Sequence, residues 1–166
     1  MTRLNIFVIA IIFLCVLSIK STAQERIRPY LNVGYITSIG KCSDCIHADR
    51  GGSIRLGILT RKKLGFYGGY LWFKVFHPDY IPYDDKGSML VGGIDFRLLK
   101  MGKFKCYIKL GIGVEKFTSV YVNRTETETS PKPDFGLLFN FNYFNTYAGW
   151  QPSEPGHFNL GIGFTL

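Results

Sequence analysis

Charge is scarce in this chain, and long apolar runs are scarcer still. Only 19% of the residues are charged, against 46% hydrophobic and 16% aromatic, so the chain holds too much apolar surface to stay disordered. Beyond the first twenty or so residues no stretch approaches the ~20 consecutive apolar residues of a membrane-spanning helix. No internal repeat is longer than a hairpin. The 19 glycines weigh against a helical bundle, because each weakens a helix interior by about 1 kcal/mol. A length of 166 residues leaves room for one domain. What these absences leave is a single all-β domain.

The opening residues set the compartment. Arg3 gives a short basic start, Ile6 to Ile19 is almost unbroken apolar sequence, and Ser21-Thr22-Ala23 supplies the small residues of a cleavage site. This is the pattern of a secretory signal peptide, expected to cover residues 1–23 and to leave 24–166 as the mature chain. The apolar run is too short for a spanning anchor. Cys15 has Leu14 before it, where a lipidation site has a small residue; a lipoprotein is the minor alternative. The formal charge of +8 falls by two when Arg3 and Lys20 leave with the leader. A basic balance can signal nucleic acid. Here the cations are spread over short turns (Arg61, Lys62, Lys63; Lys100, Lys103), strands and loops, and an exported chain is expected to meet none.

Apolar and polar residues then alternate with period two, the mark of strands with two unlike faces. From Lys105 to Glu115, Cys106, Ile108, Leu110, Ile112 and Val114 share one face. Lys105, Tyr107, Lys109, Gly111, Gly113 and Glu115 share the other. The same alternation runs through Tyr30–Tyr35, Ser53–Leu59, Met89–Leu98, Phe135–Tyr143 and Phe158–Leu166. Leu64–Phe76 is less regular, and is expected to turn Leu71, Phe73 and Val75 outward and Tyr70, Trp72 and Lys74 inward. A short strand near Asn145–Trp150 completes eight. Connections alternate in length: long over 39–52, short over 61–63, long over 77–87, short over 100–102, long over 118–133, tight near Phe144, and intermediate over 151–156. Short turns on one side and long loops on the other are the habit of outer-membrane barrels.

Alternation alone does not separate a membrane barrel from a soluble one such as a lipocalin; the second face does. A water-exposed face would be crowded with Lys, Glu, Thr and Gln. Here that face is mostly Gly, Asn and Tyr with a few charges, which suits the filled interior of an eight-stranded barrel. The expected lumen charge network is Arg55, Lys74, Asp95, Arg97, Lys109 and Glu115, with cations in excess. The expected aromatic girdle on the apolar face is Tyr35, Tyr67, Phe117, Phe135, Tyr143 and Phe158. In hydrocarbon only a closed barrel satisfies backbone groups. The fold class expected is therefore all-β: an eight-stranded antiparallel up-and-down transmembrane β-barrel.

The last residues carry a resemblance. Asn159-Leu160-Gly161-Ile162-Gly163-Phe164-Thr165-Leu166 looks like the carboxy-terminal insertion signal of outer-membrane barrels, with Asn159, Gly161, Phe164 and Leu166 in its positions. The terminal Leu166 departs from the usual Phe. With the leader and eight strands, the chain resembles the outer membrane protein β-barrel domain family, the small porin-like group. That resemblance implies a bacterial outer-membrane location, outer-membrane lipid around the barrel, and recognition by the barrel-assembly machinery during insertion. It fixes no activity.

Residues that could carry chemistry are few. Cys42-Ser43-Asp44-Cys45, with His47 behind, reads as a disulfide between Cys42 and Cys45 or as free thiols in an oxidising envelope. Two thiolates and one imidazole could also begin a zinc site, but no metal or cofactor is expected. Attachment of c-type haem would need His directly after the second Cys, and Ile46 stands there. Cys106 is expected on the apolar face as an unpaired thiol. A lipid-modifying rim enzyme would need a nucleophile, base and carboxylate to converge from Ser43, Asp44, His47, Asp49, His77 and Asp79. No nucleophile elbow accompanies them, and His157 reads as a rim residue. A narrow solute or ion pore is the other alternative to a plugged lumen. The reading is a monomeric, non-enzymatic outer-membrane barrel that displays its loops to an unknown extracellular partner.

Overall fold

Residues that alternate between large apolar and small or polar side chains form extended strands with opposite faces. The computed structural model describes residues 27–39, 41–42, 45–46, 50–75, 85–121, 124–152 and 156–166. Its strands are β1 (Ile27–Ile39), β2 (Lys41–Cys42), β3 (Cys45–Ile46), β4 (Arg50–Thr60) and β5 (Leu64–Val75). They continue with β6 (Asp85–Met101), β7 (Phe104–Tyr121), β8 (Arg124–Phe141), β9 (Phe144–Gln151) and β10 (Gly156–Thr165). Eight of them close into a barrel in the order β1-β10-β9-β8-β7-β6-β5-β4. Every pairing is antiparallel, and the ring shuts where β1 meets β10, from Tyr30↔Thr165 to Ile39↔Gly156. β2 and β3 make a separate pair within the first long connection. The expected eight-stranded up-and-down barrel is what the chain forms. The expected leader and Cys15 lie outside the described residues.

The distribution of side chains is the reverse of a water-soluble core. Leu90, Ile112, Ile162 and Phe164 point away from the barrel and are each more than 60% exposed, while Arg55, Asp95 and Lys109 inside are 0% exposed. At one end the strands are joined by short turns. Two of these turn through left-handed residues, Gly102 (φ 58) and Asn142 (φ 61), which Gly and Asn adopt at least cost. The first and last strands of the ring are tied together at this end too. Arg28 Nη2 donates to the Asn142 carbonyl at 2.5 Å, and the Leu166 N–H donates to the Pro29 carbonyl at 2.9 Å.

Three sequence expectations are corrected. In β5 the phase is opposite to the one expected: Leu71 and Phe73 are buried inside, whereas Tyr70, Trp72 and Lys74 are exposed on the outer wall. Both faces of this strand carry large rings and aliphatics, so hydrophobicity could not set the phase. The lumen at this level is apolar, where Ile36, Leu71 and Met89 form part of the buried cluster. Tyr67, expected in the outer girdle, is likewise buried inside. Tyr35, Phe135, Tyr143 and Phe158 are exposed outward as expected, and Phe117 is half-buried.

The third correction concerns 118–133, expected as a loop. β7 and β8 stay paired from Phe104↔Phe141 to Tyr121↔Arg124. β6 leaves β7 at Lys86↔Thr118, and β9 leaves β8 at Phe135↔Trp150, so the hairpin continues beyond both neighbours. Its Thr125-Glu126-Thr127-Glu128-Thr129 run is polar on both faces, which hides a strand from any test of hydrophobic alternation. Pro131 and Pro133 stand where β8 has lost its second neighbour, the setting in which a residue without an N–H is tolerated.

A ring with no free edge over its lower half resists detergent unfolding until heated. Unboiled protein is therefore expected to run as a compact species on a detergent gel and to shift on boiling. Identical mobility before and after boiling would contradict ring closure.

Candidate functional site

The interior holds two buried ion pairs built from strands far apart in sequence. On one side Arg55 of β4 grips Asp134 of β8 with both guanidinium nitrogens, Nη1–Oδ2 at 2.5 Å and Nη2–Oδ1 at 3.0 Å. The same carboxylate accepts from Tyr67 Oη of β5 at 2.7 Å and from Gln151 Nε2 of β9 at 2.5 Å. On the other side Lys109 of β7 donates to Asp95 Oδ1 of β6 at 2.7 Å. It also donates to Tyr30 Oη of β1 at 2.5 Å, and Tyr30 passes its own proton toward Asp95 Oδ2 at 2.6 Å. Charge-assisted bonds of this kind are about twice as strong as neutral ones.

Aromatic rings link the two pairs. The Lys109 ammonium lies 3.7 Å from the centroid of the Tyr67 ring, whose hydroxyl is the one bound to Asp134. The Arg55 guanidinium lies 4.5 Å from the Tyr147 ring centroid. Cation–π contacts gain strength when desolvated, and all four charges here have 0% exposure. Glycines make the room. A Cβ on Gly57 would strike the Tyr30 ring, one on Gly111 would strike Tyr67 Oη, and one on Gly149 would fall on Tyr147 Oη.

Two further layers flank these pairs. Toward the short-turn end, Asn140 and Asn145 both donate through Nδ2 to Thr165 Oγ1, at 2.6 and 2.8 Å. Toward the long-loop end, Glu115 faces His157 (Oε1–Nε2, 3.6 Å) and Lys132 (Oε2–Nζ, 3.7 Å). The His157 ring lies 4.2 Å from that of Phe73.

Of the charges expected inside, Arg55, Asp95 and Lys109 meet in the middle layer, and Glu115 lies in the layer above it. Lys74 does not join them, because the β5 phase turns it outward. Arg97 sits beside the short turn, where its Nη1 donates to the Arg61 carbonyl at 3.3 Å. The expected excess of cations therefore disappears: in the middle layer two cations meet two carboxylates. Sequence reasoning missed Asp134, Tyr30, Gln151 and Tyr147. Asp134 was legible, since extending the Phe135–Tyr143 alternation backward by one residue puts it inside with Gly136 and Asn140. His157, read as a rim residue, is buried beside Glu115.

Asn159 points inward and is fully buried, while Phe164 and Leu166 point outward; Gly161 pairs with Gly34 across the β1–β10 closure. Cys42 and Cys45 are directly opposed in register, but their side chains lie outside the described residues. So do Ser43, Asp44, His47, Asp49, His77 and Asp79. Cys106 is a free, half-buried thiol. Among the described residues no group of three His, Cys, Asp or Glu side chains could hold a metal ion.

This is the fold of the small eight-stranded outer-membrane barrels. It is similar to Ail, the attachment invasion locus protein of Yersinia pestis, solved in complex with the heparin analogue sucrose octasulfate. The match has 20% identity and a TM-score of 0.56, and covers 85% of this chain and 97% of that one. Neisserial surface protein A is similar at 12% identity and a TM-score of 0.57, covering 84% and 96%. The N-terminal barrel domain of Pseudomonas aeruginosa OprF is similar at 14% identity and a TM-score of 0.50, covering 82% and 97%. No protein-family model and no curated protein matches the sequence.

Removing one partner of a buried pair strands the other charge, at a cost of about 3–5 kcal/mol. Asp134→Ala is expected to lower unfolding stability by that amount, measured by urea titration of the refolded barrel. The double variant Arg55→Met, Asp134→Leu should recover most of the loss, because it removes both charges. Equal destabilisation by the single and double variants would refute the pairing.

Proposed function

We propose that this chain is a non-enzymatic integral protein of the bacterial outer membrane, with a plugged polar lumen and a surface-display role. One observation carries the reading: a closed ring of strands turns a broad band of large apolar side chains outward and fully buries Arg55, Asp95, Lys109 and Asp134 within. Exposed to water, so large an apolar surface would drive aggregation. Against acyl chains it is the stable arrangement, because the backbone groups of a closed ring are satisfied within the sheet. The leader expected over residues 1–23 and the likeness to barrels of the outer membrane support the same compartment.

The middle layer supports a plug over a pore. Arg55, Lys109, Asp95 and Asp134 are bound to one another with Tyr30, Tyr67 and Gln151 packed among them. An eight-stranded barrel is only wide enough for side chains to fill. That layer carries no net charge, and the side chains bound across it leave an ion no charge-selective path. Display falls to the long-loop end, where the β7–β8 hairpin rises past β6 and β9 and presents Glu126 and Glu128 to solvent. Acidic side chains on such a hairpin also discourage indiscriminate strand pairing.

Two measurements test this. Ile162→Arg on the outward face should destabilise the barrel in phospholipid vesicles by about 2–4 kcal/mol; no loss would mean that this face does not touch hydrocarbon. Wild-type protein in a planar bilayer is expected to show no discrete conductance. Charge-selective steps would replace the plug with a narrow pore, and turnover of labelled lipid by the reconstituted protein would replace the display role with an enzyme.

A further inference from the structure

The short-turn end of the barrel carries charge of one sign. The turn between β4 and β5 holds Arg61, Lys62 and Lys63, and the one between β6 and β7, with its flanks, holds Lys100, Lys103 and Lys105. The described segments at this end, 27–29, 59–64, 96–106, 140–145 and 164–166, contain no Asp or Glu. The residues before β1 do not restore a balance, since Glu25 is the one acid among residues 1–26 and Arg26 adjoins it. Apart from Glu25, every carboxylate outside the lumen falls in the long connections or on the strand ends that meet them.

The nearest acid along the chain, Asp95, is fully buried and bonded to Lys109 and Tyr30. Arg28 donates to the Asn142 and Leu166 carbonyls, and Arg97 to that of Arg61, so backbone oxygens serve where carboxylates are missing. Lys100 is directly opposite Lys105 in register, and the charges of Arg28 and Arg97 also bear on Lys105. Like charges set opposite one another on a sheet are destabilising, and an anion beside them offsets this. The adjoining wall is apolar. The register shifts between Arg97 and Leu99, a bulge that leaves Leu98, Leu99 and Met101 all exposed around Lys100, while Leu64 is exposed beside Lys63. Strands advance by ~3.3 Å per residue, so the exposed side chains of Lys62, Lys63, Lys100 and Lys103 stand just past the last apolar ones.

We propose that this rim binds the headgroups of anionic phospholipid in the leaflet on the short-turn side. Lys62, Lys63, Lys100 and Lys103 meet the phosphates, and Leu64, Leu98, Leu99 and Met101 meet the acyl chains. A long basic side chain suits this depth, because its stem lies along apolar surface while its head stays in water. Charge of one sign selects a lipid with net negative charge over a zwitterion. The apolar wall beside it selects a lipid over a soluble anion. A lysine near an anionic membrane surface strengthens attraction roughly fivefold, so losing four should weaken retention on the order of 500-fold.

The proposal rests on the membrane reading above, and its test separates the two. Full-length mature protein is placed in nanodiscs of phosphatidylcholine containing a small fraction of phosphatidylglycerol, and bound lipid is counted by native mass spectrometry after release. Wild type should retain phosphatidylglycerol over phosphatidylcholine, and the Lys62→Gln, Lys63→Gln, Lys100→Gln, Lys103→Gln variant should lose that preference. Heat-modifiable migration reports that each variant has folded. If the quadruple variant has not, Lys100→Gln alone is expected to weaken retention severalfold, and Lys116→Gln, toward the long-loop end, to leave it near wild type. Equal weakening by Lys100→Gln and Lys116→Gln overturns the proposal, since any cation would then serve. So does an inserted barrel whose variants retain phosphatidylglycerol as wild type does. Loss of the lipid to millimolar inorganic phosphate also overturns it, making the rim a site for the free anion. A protein that stays in the aqueous phase overturns the membrane reading instead.

Discussion

A backbone N–H surrounded by hydrocarbon can bond only to another part of the chain, and a strand cannot supply that partner from within itself. Every strand must then have two neighbours, and the first must meet the last. The contact between β1 and β10 is where that requirement is met, and the Arg28 bonds to the Asn142 and Leu166 carbonyls hold the start of β1 beside the last residues. The β7–β8 hairpin obeys the same constraint from the other side. It gives up its neighbours only toward the long-loop end, where water takes over the open edges.

Closure with eight strands fixes the width of the interior, and width dictates chemistry. A channel so narrow must be filled to native density, but its strands have spent most of their apolar positions on the outer wall. Filling it with polar groups means that each must find a partner, because a buried unpaired charge is too costly to persist. Tyrosine suits this space well. Its ring occupies volume over a glycine on another strand, its hydroxyl binds a carboxylate, and its face receives an ammonium. Tyr67 does all three, over Gly111, to Asp134 and under Lys109. The alternation of glycine with tyrosine and charge is therefore one packing solution rather than two compositional oddities.

The same logic explains what the sequence disclosed and what it withheld. Strands such as Lys105–Glu115 and Phe158–Leu166 put branched aliphatics on one side and small or charged residues on the other, so number, direction and facing could be read. β5 could not be phased because Tyr70-Leu71-Trp72-Phe73 is large and apolar on both sides; only the partners across the lumen decide. The upper hairpin failed for the opposite reason, having no apolar side at all. Lumen pairing was hidden for a third reason: Arg55 and Asp134 are 79 positions apart, and nothing local in either strand names the other. Parity could say that a residue points inward. Only closure says whom it meets.

Facing matters as much for the outer wall. With β5 in the expected phase, Lys74 would have been one more lumen cation and Trp72 would have crowded the lumen. In the phase the chain adopts, the charges of the middle layer balance and the displaced lysine joins Arg50, Lys86 and Lys116 on the outside. A single-residue slip in one strand thus moves charge from the enclosed interior, where it needs a protein partner, to the outer wall. The balance of charge in the middle layer and the row of basic residues on the outer wall are consequences of the same register.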